Sequence, residues 1–167
     1  MRARFRSAGF TIVEMGIVIA VIAILAGVVI TGMGFFRAAK QRAAVDLIST
    51  LRKAGSQYAL RHSRGIAYGR SANLNDPQNV TLPALRAEGF LPMNPTTPWG
   101  DPNIVVAPAN GAAGTPCAGW ACMRIDMPVP EEECAAGEAS YLLISLTSVA
   151  VPNGVSCNGS MLSVTLR

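Results

Sequence analysis

Among the 167 residues of this chain, Glu14 most needs a chemical explanation: it is a carboxylate four residues into the apolar run that begins at Phe10. Inside a membrane a charged side chain costs about 2–3 kcal/mol or more and calls for a positive partner. A cut after Gly9 would create one. The new α-amine of Phe10 would stand at the start of a helix whose dipole disfavours a cation, and Glu14 would become the fifth residue of the shortened chain. The second chemically capable set is Cys117, Cys122, Cys134 and Cys157, separated by four, eleven and twenty-two residues. These spacings fit no zinc knuckle, and the lone His62 is far off in sequence, so disulfides are expected once this part of the chain is exported. Four cysteines allow three pairings, among which spacing does not choose. Glu131, Glu132 and Glu133 invite a Ca²⁺ reading, but no EF-hand-like series of oxygen ligands surrounds them, and a solvated acidic turn is expected. His62 has only Ser63 beside it, without a Gly-x-Ser-x-Gly elbow, and reads as a surface histidine at a helix end. No phosphate-binding glycine loop occurs, and Trp99 and Trp120 are expected to anchor a small core. No catalytic set, metal or cofactor is expected.

The elements that must carry these residues follow from charge and periodicity. Half the residues are apolar, mean hydropathy is +0.34 and the formal charge is +4. Arg2, Arg4 and Arg6 supply three of the fourteen bases; without them eleven bases face ten acids, and the rest of the chain is nearly neutral. Bases form no dense run and aromatics are 6 %, so no specific nucleic-acid partner is expected. Met15 to Phe36 is 22 residues without a charge, about 33 Å as a helix against a hydrocarbon core of about 30 Å. The arginines before it favour a cytoplasmic amino end and an exported remainder, although Arg37, Lys40 and Arg42 form a competing basic flank. The run is too long for the core of a cleaved secretory signal and lacks a small-residue cleavage site after it.

The series Arg6-Ser-Ala-Gly9 followed by Phe10-Thr-Ile-Val-Glu14-Met-Gly-Ile-Val-Ile resembles the class III signal of the type IV pilin family, pilins and pseudopilins alike. The resemblance implies that a prepilin peptidase in the inner membrane cuts between Gly9 and Phe10 and methylates the new amine. It further implies that Glu14 sets the register of the subunit in a filament. It also implies an α+β type IV pilin fold, a long amino-terminal spine helix packed on a small antiparallel sheet with a disulfide-closed carboxy-terminal region. The expected divisions are a leader (1–9), a membrane and filament-core helix (10–36), an amphipathic half of the spine (37–63) and an exported head (64–167).

Residues 37–63 contain no proline, and Ala44, Ile48, Leu51, Tyr58 and Ala59 share a helical stripe, so one helix is expected from about Thr11 to Arg61. Gly27, Gly32 and Gly34 would soften it or tighten its packing in a filament, or are simply glycines of the kind membrane helices tolerate. After Ser63 a Gly-, Asn-, Pro- and Ser-rich loop holds one short helix near 82–88, with Gly89 as its cap. Strands are expected at Asn103–Ala107, Ala121–Met127 and, briefly, Val155–Cys157, a helix near 138–147, and an edge or closing strand at Ser160–Leu166. Ile125 and Met127, alternating with Arg124 and Asp126, imply a sheet with one packed and one wet face. Pro95-Thr-Thr-Pro-Trp-Gly100, Val129-Pro-Glu-Glu-Glu-Cys134, Val151-Pro-Asn-Gly154 and Leu162-Ser-Val-Thr-Leu166 look like the type IVb pilins, including those of conjugative thin pili. By that similarity Cys134 pairs with Cys157, which leaves Cys117 with Cys122.

The function expected first is therefore a non-enzymatic type IV pilus subunit that assembles into a homo-oligomeric helical filament. Its partners would be the prepilin peptidase, an assembly ATPase and platform, and the inner membrane before export to an extracellular pilus. The alternative is a pseudopilin of a type II secretion system. A membrane-tethered enzyme or binding module with a borrowed leader would need a convergent set of ionisable groups, which the sequence does not offer.

Overall fold

The computed structural model describes residues 11–62, 68, 79–111, 117, 119–135 and 141–167. The chain divides into two compact units, one ending at Ala38 and the other running from Ala39 to Arg167. The helix α1 (Ile12–His62) contributes to both. It is unbroken because the run has no proline, and both ends match the helix expected from periodicity to within a residue.

In the second unit the stripe on α1 is the cover of the sheet. Ala44, Ile48, Leu51, Ala54, Tyr58 and Ala59 are buried, whereas Asp46, Lys53 and Gln57 are exposed. Burying side chains the size of Ile48, Leu51 and Tyr58 contributes about 1.5–3 kcal/mol each. Close approach is set by Gly55, where a Cβ would lie 2.5 Å from the Met123 sulfur.

The sheet contains β1 (Val105–Gly111), β2 (Gly119–Pro128), β3 (Val155–Asn158) and β4 (Met161–Leu166), all antiparallel, in the order β1-β2-β4-β3. Met123, Ile125 and Met127 of β2 and Leu162, Val164 and Leu166 of β4 are fully buried, and register sets Ile125 opposite Val164. Period-two alternation thus gives the packed face, and Arg124 lies on the other. The last strand is not an edge, contrary to the first alternative for Ser160–Leu166: it is paired on both sides, and β3 takes the edge. Gly159, at φ +59, turns β3 back into β4 in two residues. The other edge, β1, carries Pro108 and a bulge between Ala109 and Gly111, features that suit an unpaired edge. It begins two residues later than expected because Asn103 N–H donates to Asp101 Oδ1 (2.8 Å) and Ile104 N–H to the Pro102 carbonyl (2.9 Å), so the backbone is still turning there.

Three short helices are also present among the described residues of this unit. In α2 (Leu82–Ala87), Thr81 Oγ1 caps the Ala84 N–H at 3.3 Å, Pro83 sits in the first turn, and Gly89 follows the last cap at φ +78. In α4 (Tyr141–Thr147), Leu142 and Leu146 enter the core. The third, α3 (Glu131–Ala135), replaces the solvated turn expected for the three glutamates, because Glu133 is drawn inward. Most of the loop expected after Ser63 lies outside the described residues; within it, the buried Tyr68 accepts the Val80 N–H at its carbonyl (2.8 Å).

Candidate functional site

The first turn of α1 is closed by two reciprocal bonds. Thr11 N–H donates to Glu14 Oε2 (3.4 Å), and Glu14 N–H donates to Thr11 Oγ1 (3.3 Å), the arrangement of a capping box. A threonine three residues before a glutamate is the sequence sign of that motif, and it keeps the carboxylate at the amino end of the helix, where the dipole favours an anion. Gly9 and Phe10, with the rest of the expected leader 1–9, lie outside the described residues. Beyond Glu14 the apolar side chains from Ile17 to Val29 are exposed, and the helix is long and apolar enough to cross a membrane. An apolar surface of this extent requires lipid or the apolar surface of other chains.

In the second unit the four cysteines are paired as Cys117–Cys122 and Cys134–Cys157, with Cα separations of 5.3 and 5.4 Å. The first pair is buried in the head. The second joins α3 to the edge strand β3 and closes 23 residues of sequence separation, worth about 3 kcal/mol on the chain-entropy model.

Beside Cys134, Glu133 is 2 % exposed and accepts a 2.7 Å hydrogen bond from Gln41 Nε2 of α1. A buried carboxylate needs such donors. Glu131 and Glu132 remain exposed, so the three carboxylates do not converge; among the described residues no group of three His, Cys, Asp or Glu side chains is placed to hold a metal. Gln41 is the residue that sequence reasoning passed over. Its signal is its place three residues before Ala44 on the buried stripe, where a polar side chain must find a partner.

His62, the last residue of α1, contacts both oxygens of Glu88 at 2.6 and 2.7 Å and stacks on Tyr58 with ring centroids 4.4 Å apart. Glu88 is also 3.7 Å from Arg61. These groups tie the end of α1 to the cap of α2. Trp99 packs, partly buried, against the core; the side chain of Trp120 lies outside the described residues.

A helix with an apolar half and a capped carboxylate at its start, together with a sheet packed on its other half and closed by disulfides, defines a pilin-like subunit. No family model matches the chain, and no solved structure matches it. It is 34 % identical over 107 residues to type II secretion system core protein G of Aeromonas hydrophila, covering 62 % of this chain and 75 % of that one. It is 33 % identical over 120 residues to type II secretion system core protein G of Escherichia coli (strain K12), covering 68 % of this chain and 81 % of that one. The chain belongs to the type IV pilin family, which includes these pseudopilins.

Proposed function

We propose that this chain is a structural, non-enzymatic pseudopilin of a type II secretion system. The observation that carries the reading is its identity to two core G proteins over three quarters or more of their length. In this reading the chain is inserted in the inner membrane with its head outward, cut between Gly9 and Phe10, methylated at Phe10, and drawn by the assembly ATPase and platform into a short helical filament. The exposed apolar half of α1 then packs against the same half of neighbouring copies, a heterologous contact that repeats without closing. Glu14, held at the first turn by Thr11, offers its carboxylate to the Phe10 amine of a neighbour. A subunit out of register would leave a buried charge unpaired at about 3–5 kcal/mol.

The reading expected first, a type IV pilus subunit, is the second reading here; the similarity of the stapled head to type IVb pilins favours it. Gene deletion separates the two. Loss of secreted proteins into the medium supports the pseudopilin, whereas normal secretion with loss of surface filaments would overturn it in favour of the pilus. Intact mass and amino-terminal sequencing of assembled material test the processing step directly.

A further inference from the structure

Two Asn-Gly dipeptides lie five residues apart at the carboxy-terminal end of the head, in contrasting surroundings. Asn153-Gly154 ends the turn Val151-Pro-Asn-Gly, with Asn153 at φ +57 in the position that type II turns require to be left-handed. There the Gly154 N–H donates to the Val151 carbonyl (2.7 Å) and the Gly154 carbonyl accepts from Thr165 N–H (2.6 Å). A Cβ at Gly154 would lie 2.7 and 2.8 Å from the carbonyl oxygens of Val151 and Thr165, so this nitrogen is both bonded and enclosed. In Asn158-Gly159, Asn158 is the last residue of β3, opposite Met161, and Gly159 begins the two-residue turn into β4. Both residues are exposed, nothing lies within 4 Å of a Cβ built on Gly159, and its N–H makes no hydrogen bond among the described residues.

We infer that Asn158-Gly159 is a self-modification site at which the subunit deamidates with age, while Asn153-Gly154 is shielded by its turn. The Gly159 backbone nitrogen, having lost its proton to solvent base, attacks Asn158 Cγ. The N–Cγ bond forms, the Cγ–Nδ2 bond breaks, and ammonia leaves with a proton from water. Water then opens the five-membered succinimide at either carbonyl, giving aspartate or isoaspartate at position 158. Glycine permits this step because no side chain crowds the attacking nitrogen and the backbone can swing toward Cγ. At Asn153 the same approach requires the Gly154 bonds to open first.

The modification matters because of where the charge appears. Residues 139–166 contain no Asp, Glu, Lys, Arg or His. Asn158 follows Cys157, which lines a cleft of about 620 Å³ together with Leu143, Ile144, Val151 and Val155. A new carboxylate at position 158 therefore adds a negative charge to a stretch of chain that carries none, and isoaspartate also lengthens the backbone at the end of the edge strand.

The test uses the full chain in detergent micelles, held in mildly alkaline buffer and sampled over time by peptide mass mapping and isoaspartyl methyltransferase labelling. The Asn158 peptide is expected to gain about one mass unit and become a methyl acceptor. Both asparagines lie in one tryptic peptide, so fragmentation assigns the mass gain by residue, and conversion at Asn153 should lag about tenfold or more, as expected where native hydrogen bonds must open first. In urea with the disulfides reduced, the two sites should react at similar rates. Asn158→Gln should abolish the methyl acceptance that develops at position 158 in native protein, whatever conversion occurs at the third Asn-Gly pair, Asn110-Gly111. Conversion of Asn153 as fast as Asn158 in native protein, or an intact Asn158 under conditions where the unfolded chain reacts, would overturn the inference.

Discussion

Replacement of Gln41 by Leu removes a buried polar bond that joins α1 to α3, at the disulfide-closed end of the head. Glu133 is 2 % exposed, and its bond from the Gln41 amide is 2.7 Å long and buried. Leucine fills similar space but leaves the carboxylate one donor short. A hydrogen bond to a charged group contributes about 1.5–3 kcal/mol, so Gln41→Leu should destabilise by about 2 kcal/mol. For a unit the size of Ala39–Arg167 that corresponds to a fall in Tm of about 6–10 °C. The assay is thermal and urea unfolding of the oxidised full chain in micelles, followed by near-ultraviolet circular dichroism. Gln41→Leu combined with Glu133→Leu should recover part of the loss, because removing both partners abolishes the unmet demand, and the double-mutant cycle then reads the coupling. If Gln41→Leu alone stays within about 0.5 kcal/mol of the parent, the bond does not hold α3 to α1 and the reasoning fails.

Three other perturbations address other parts of the molecule. Gly154→Ala should cost about 2 kcal/mol or more, since its Cβ would press on the Val151 and Thr165 backbone oxygens; hydrogen exchange should show lost protection at the Thr165 amide, and unchanged exchange would contradict the packing argument. The paired substitution Cys134→Ser/Cys157→Ser should lower stability by about 3 kcal/mol and Cys117→Ser/Cys122→Ser by about 2, in the order of loop length, as read from melts of the two variants; a reversed order would refute the loop-entropy account. Glu14→Ala should be processed after Gly9 yet fail to enter filaments, which intact mass and filament shearing would report; normal incorporation would refute the register role.

Much of the fold was legible because the signals that specify it are local. The stripe Ala44, Ile48, Leu51, Tyr58 and Ala59 repeats at helical spacing, and each residue is buried. The short helix expected near 82–88 is found at Leu82–Ala87, with Gly89 after its cap at φ +78. Glu131–Glu133 misled for the opposite reason: three adjacent acids look solvated until a partner 92 residues away draws one of them inside. The position of β4 was also hidden, since a strand of alternating polar and apolar residues has the same pattern at an edge as between two neighbours.

By itself the sequence determined the length and continuity of α1, the apolar reach that demands lipid or other copies, and the carboxylate held at its first turn by a threonine three residues before it. Those properties depend on residues within a few positions of one another, where helix geometry alone brings them together. Only the tertiary structure decided that Gln41 meets Glu133 and that β4 lies between β2 and β3, and it joins Cys134 to Cys157, a pairing that the resemblance implied and spacing did not choose. The Gln41–Glu133 bond, the Cys134–Cys157 bridge and the β2–β4 pairing each join residues 23 or more positions apart, and which distant groups meet is chosen by the best simultaneous burial of the whole core, a condition that no local pattern contains.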